Sequence, residues 1–162
     1  MTTVPKVSKS SMKAETAAAV AQFLSPVVVD LVALGVDGKQ AHWHVRGPNF
    51  IAVHELLDVI VAHAYEFADT AAERVVALGL PLDARIKTVG GSNTLPALSP
   101  GFQQAEPTIE HVVAAIDATL ATVRTAIEEL DELDPVSQDV AIEIARGLEK
   151  DRWLLFAHLA AK

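Results

Sequence analysis

The sequence predicts an all-α protein, a bundle of four long helices with one long crossover. Four segments carry apolar residues at spacings of three and four, the period of a helix face. Stretches of strict apolar–polar alternation are nearly absent, so strands are not expected. Two of the connections between the helical segments are short and the middle one is long, which sets the order in which the helices can pack.

The first segment runs from about Ala14 to Val45, with Val20, Leu24, Val28, Leu31 and Leu34 on its apolar stripe. Pro26 should kink it by removing a backbone bond, and Gly35 and Gly38 weaken it further. "RGPN" stops this helix, and Asn49 can cap the second, which continues to about Leu78 before Gly79 and Pro81 end it. The third is expected to begin at Thr108, soon after Pro107, and carries Ile109, Val112, Ile116, Leu120, Val123, Ile127 and Leu130. Asp134 followed by Pro135 makes an N-cap and first-turn pair for the fourth, with Val140, Ile144, Leu148, Leu155 and Leu159 on its stripe. Between the second and third helices, residues 80–106 hold too many glycines and prolines for one long helix, although a short one fits within them. A connection of that length can cross from one end of a bundle to the other, as in the ferritin-like topology with its single crossover. Residues 14–162 then form one domain, preceded by a flexible tail over residues 1–13.

Composition narrows the function. Thirteen basic against twenty-one acidic side chains give a formal charge of −8, which repels a phosphate backbone and attracts cations to any concave acidic surface. With no cysteine, thiolate catalysis, disulfides and cysteine zinc sites are excluded, and a metal site must use imidazole and carboxylate. That ligand chemistry suits iron, manganese or zinc. No uninterrupted apolar stretch reaches a membrane span, and "MTTVPKVSKSSMK" has no hydrophobic signal core. A cytoplasmic location is the expectation.

The segment "KQAHWHVRGPNFIAVHELLD" places His42, His54 and Asp58 close together in sequence. On the second helix His54 and Asp58 are one turn apart, as are Asp69 and Glu73, and all four fall within a sector of about 100°. At the helical rise the two pairs are nevertheless separated by roughly 22 Å, so one centre cannot use both from the same chain. A two-fold axis crossing near residues 63 and 64 would bring His54 and Asp58 of one chain opposite Asp69 and Glu73 of another, with His42 joining its own chain's His54. Spacing alone leaves two readings open: such a shared metal centre, or a solvated acidic face beside hydrogen-bonded structural histidines.

The wording of the segment is more specific. "KQAHWHVRGPNFIAVHELLD", followed by "EFADTAAERVVALG", resembles the signature of the Dps mini-ferritins, the DNA-binding proteins from starved cells, over about 40 residues. Weaker similarity extends to "LDPVSQDVAIEIARGLEKDRWLLFAHL", which is similar to the family's fourth helix and its late Trp. The resemblance implies a ferritin-like bundle in which His42, His54 and Asp58 of one subunit and Asp69 and Glu73 of its two-fold mate form a di-iron ferroxidase centre. It further implies a hollow homododecamer that oxidises Fe(II), preferentially with hydrogen peroxide rather than oxygen, stores the ferric mineral and limits oxidative damage. Trp43 matches a tryptophan beside the centre that takes up stray oxidising equivalents, and Lys39 matches a basic residue near it. Asp134, Asp139 and Glu143 match acidic positions near the pores through which Fe(II) enters; for Asp134 the helix cap is a second role.

His44 departs from the family pattern, which commonly has Asn there. Two residues from His42, it points to a different side of the helix, where a structural role competes with metal ligation or proton relay. His63, His111 and His158 receive no role. An alternative function is a chromosome-compacting, nucleoid-associated protein with a secondary metal site. Only Lys6, Lys9 and Lys13 offer a basic N-terminal stretch, and the charge of −8 opposes DNA binding. Di-metal enzymes and classical ferritins commonly use Glu-x-x-His, and no Glu here has His three positions later.

Overall fold

A computed structural model of the chain describes residues 10–159. Lys6, Lys9 and most of the expected tail lie outside the described residues, whereas Lys13 sits at the N-cap of the first helix. Five helices follow in order: α1 (Ala14–His44), α2 (Phe50–Ala77), the short α3 (Ile86–Ser92), α4 (Ala105–Leu130) and α5 (Pro135–Phe156). α1 packs along α2, α4 along α5, and the two hairpins close on each other through α1 against α4 and α2 against α5. The expected four-helix bundle is therefore present, with α3 inside the crossover. The predicted stripes of α1 and α4 face its core, Ile127 less fully than the rest; Val140 of α5 is only partly buried, and Leu159, also partly buried, lies beyond the end of α5.

The structure departs from the expected boundaries at several points, each for a local reason. Pro26 is not one of them: α1 runs through it as expected, and both Pro26 and Gln22, whose carbonyl lacks the bond that Pro26 cannot make, are exposed. α4 starts at Ala105 rather than Thr108, because first-turn N–H groups have no helical partner and Pro107 removes nothing there. Asn49 occupies the N-cap of α2 but makes no side-chain cap bond; its backbone lies in the left-handed region at φ 63°. Asp134 does cap α5, accepting from the Ser137 N–H at 3.0 Å. Gly35, expected to weaken α1, is where the Tyr65 ring of α2 rests: a Cβ there would come within 2.8 Å of it.

Two further features position the site. Two-residue strands, β1 (Val45–Arg46) and β2 (Gln103–Gln104), pair in parallel, tying the end of the crossover to the α1–α2 turn. Midway along α1, Asp30 is 1% exposed and accepts from the Thr94 N–H at 2.8 Å and from the Thr94 and Thr122 hydroxyls at 2.7 Å. The crossover is thus latched at its middle and at its end. α1 is also long and apolar enough, by length and composition, to cross a membrane, although no uninterrupted apolar run within it reaches a span. Its apolar residues form the bundle core.

Candidate metal centre

His42 stands in the last turn of α1 and His54 in the second turn of α2, with the turn Val45–Asn49 folding one helix back on the other. Gly47 at φ 94° and Asn49 at φ 63° make that turn possible, since the left-handed region is open to glycine and tolerated by asparagine. The two imidazoles stack with centroids 3.6 Å apart and planes 20° from parallel. His42 Nδ1 lies 2.7 Å from the His54 carbonyl oxygen, and His54 Nδ1 lies 2.9 Å from the His42 carbonyl oxygen. A carbonyl only accepts, so both Nδ1 atoms carry the proton. Both Nε2 atoms then keep their lone pairs, the tautomer a metal ligand requires.

Asp58, one turn beyond His54, brings Oδ1 to 3.4 Å from His42 Nδ1 and accepts a short hydrogen bond from Lys39 Nζ. The Lys39 bond is the main reason its carboxyl is held below the usual range, with the two histidines adding to the effect. His42 is buried, His54 partly so, and Asp58 exposed, so the set opens outward at the surface of the hairpin. Trp43 is exposed beside it.

Asp69 and Glu73 are exposed farther along α2, on the same broad face as Asp58 but roughly 22 Å from His54 along the axis. They do not meet the histidine pair within the chain. Among the described residues no group of three or more His, Asp or Glu side chains is arranged to hold a metal ion. The same sector of α2 leaves Ile51, Tyr65 and Val76 exposed, so the carboxylates share their face with large apolar side chains.

A model of the ferritin-like domain matches residues 23–161. The DNA protection during starvation protein of Agrobacterium fabrum is 31% identical over 155 residues, covering 95% of this chain and 96% of its own length. The chain belongs to the Dps family. Among solved Dps structures, that from Microbacterium arborescens in its high iron form superposes with a TM-score of 0.90 at 57% identity, covering 94% of this chain and 99% of that one. DpsA14 from Streptomyces coelicolor superposes with a TM-score of 0.88 at 30% identity, over 97% and 94% of the two chains.

The remaining candidate residues of this Dps chain lie apart from the histidine pair. Asp139 and Glu143 are exposed on α5, whereas Asp134 is buried. Besides Ser137, Asp134 binds Arg74 Nη2 at 2.6 Å, and Arg74 Nε also donates to Ser137 Oγ at 2.8 Å, tying α2 to the start of α5. Burial raises the Asp134 carboxyl, but the Ser137 and Arg74 bonds outweigh it and hold the group low. His44 turns away from His42: its ring meets the Gln40 amide at 3.0 Å and the Phe102 ring at 5.1 Å. His63, given no role by sequence, places Nδ1 at 2.9–3.0 Å from both oxygens of Asp151, a carboxylate 1% exposed that burial pushes up. The signal that could have found this pair is Asp151, an acid close to the apolar stripe of α5.

Proposed function

We propose that this Dps-family chain oxidises Fe(II) at centres shared across a two-fold axis, prefers hydrogen peroxide to oxygen, and stores ferric mineral in a hollow dodecamer. Family membership carries the general part, iron storage with oxidative protection. The specific part is supported above all by the reciprocal bonding of His42 and His54, which leaves two neighbouring Nε2 lone pairs beside an ionised Asp58. Imidazole and carboxylate together bind Fe(II) without excluding Fe(III), as a ferroxidase substrate site needs.

The missing ligands are the mate's Asp69 and Glu73. Exposed Ile51, Tyr65 and Val76 on their face of α2 favour burial against a second copy, and an antiparallel α2 pair brings each chain's carboxylates to the other's histidines. Two Fe(II) ions each give one electron to a peroxide, whose O–O bond breaks to two hydroxides, so no hydroxyl radical is released. Exposed Trp43, next to His42 in sequence, would take up stray oxidising equivalents. Of the three acidic residues assigned to iron entry, Asp139 and Glu143 are free to attract Fe(II), while Asp134 is committed to Arg74 and Ser137.

Anaerobic Fe(II) loading followed by peroxide, monitored by ultraviolet absorbance with size-exclusion chromatography of the same sample, tests the reading. Rapid oxidation by an intact assembly is expected, falling to the buffer rate in His42→Ala plus Asp58→Ala. An intact assembly that oxidises no faster than buffer would sink the proposal, as would unchanged kinetics in the double variant.

A further inference from the structure

On the side of α1 away from His42, a cavity of about 120 Å³ lies between the last turns of α1, the end of the crossover and the first turns of α4. It is several times larger than the roughly 10–15 Å³ a single water needs. Its polar lining is Gln40 and His44 from α1, Ser99 and Gln103 from the crossover, and Thr108 and His111 from α4. In a chain of charge −8, no carboxylate among the described residues lines it.

The hydrogen bonds within the wall determine what it can offer. Gln103 Nε2 donates to Ser99 Oγ at 3.0 Å, so the Ser99 hydroxyl proton is left to donate elsewhere. Thr108 spends its own on the Gln104 carbonyl at 2.8 Å. The Gln40 amide nitrogen lies 3.0 Å from His44 Nδ1 and 3.3 Å from His44 Nε2; donating to the nearer Nδ1, it puts the ring proton on Nε2, which can then donate to a ligand. His111 Nε2 is buried with no hydrogen-bond partner among the described residues. Buried polar atoms are paired as a rule, so an orphan in the wall of a polar cavity calls for a partner that the described residues do not supply.

The electrostatics select the sign of that partner. Arg46 lies 3.1 Å over the Phe102 ring, which in turn packs against His44, so a guanidinium stands close by. The N-terminus of the 26-residue α4 is at the same end, with no side-chain cap from Gln104; Glu106 stands in its first turn but outside the lining. Asp37 acts on His111 but lies outside the lining. A cation would find no carboxylate and only two imidazoles. We propose that this cavity binds a small oxyanion, a carboxylate or phosphate, hydrogen-bonded between His44, Ser99 and His111. The inference stands on the cavity alone, so its failure would leave the ferroxidase reading untouched.

The test uses the full chain, freed of metal with a chelator and held in chloride at constant ionic strength. It is titrated separately with acetate and with orthophosphate by calorimetry, while carbethoxylation of each histidine is followed by mass spectrometry. Saturable binding is expected, with His44 protected and His158 reacting as before. His44→Leu and Ser99→Ala, which change partly exposed and exposed positions, should each weaken binding by about tenfold, the scale of one hydrogen bond to a charged group. The tighter of the two anions identifies the ligand as carboxylate or phosphate. Absence of saturable binding by either anion overturns the proposal, as does binding that both variants retain in full.

Discussion

Lys39 on α1 donates to the Oδ1 atom of Asp58 on α2, so the carboxylate nearest the two candidate iron-binding histidines is already paired with a cation. Fe(II) must compete with that ammonium. At neutral pH Asp58 stays ionised with or without Lys39, so removing the charge removes a competitor. Lys39→Met is expected to tighten anaerobic Fe(II) binding by about two- to fivefold, the modest scale of an exposed ion pair. Weaker binding in an anaerobic titration would show instead that Lys39 serves chiefly to orient the carboxylate.

If the centre is shared, inactive subunits can restore one another. Chains carrying His42→Ala with His54→Ala lack one half-site, and chains carrying Asp69→Ala with Glu73→Ala lack the other. In a mixed dimer one centre keeps only Asp58 and the other is complete. Random co-refolding makes half the dimers mixed, so about one quarter of the parent peroxide-driven oxidation rate should return. Mixtures as inactive as either component would remove Asp69 and Glu73 as the mate's contribution to the centre.

Gly47 holds the turn that faces the two histidines toward each other. At φ 94° an alanine is strained, and its Cβ would fall 2.3 Å from Gln104 Oε1. Gly47→Ala should cost about 1–3 kcal/mol in urea unfolding. It should also weaken Fe(II) binding, because the carbonyls that orient each imidazole lie at either end of this turn.

Asp134 provides a pH test. Its carboxyl is held below the ordinary range, so its contribution to stability is full above the unfolded-state pKa and is lost as pH falls through the lower folded value. Asp134→Ala removes the cap of α5 and the partner of Arg74, at a cost of about 1–2 kcal/mol at pH 7. The gap between variant and parent should close in denaturant titrations repeated at strongly acidic pH. A gap independent of pH would mean that the aspartate acts by packing alone.

Much of this molecule is legible in the chain of residues. The spacing of Val20, Leu24, Val28, Leu31 and Leu34, and of Ile109 through Leu130, determines helices with one apolar face, because helical period and burial are local properties. The stretch from His42 to Glu73 carries the ligand types, and the helical rise alone separates its two halves by roughly 22 Å. Tertiary structure decided what depends on groups distant in sequence. Asp30 reaches Thr94 and Thr122, His63 reaches Asp151, and Arg74 reaches Asp134, each across 60 or more positions that no periodicity links. The orientation of His42 and His54 is of the same kind: each ring is fixed by the other's backbone carbonyl, a relation that exists only once the α1–α2 turn has closed.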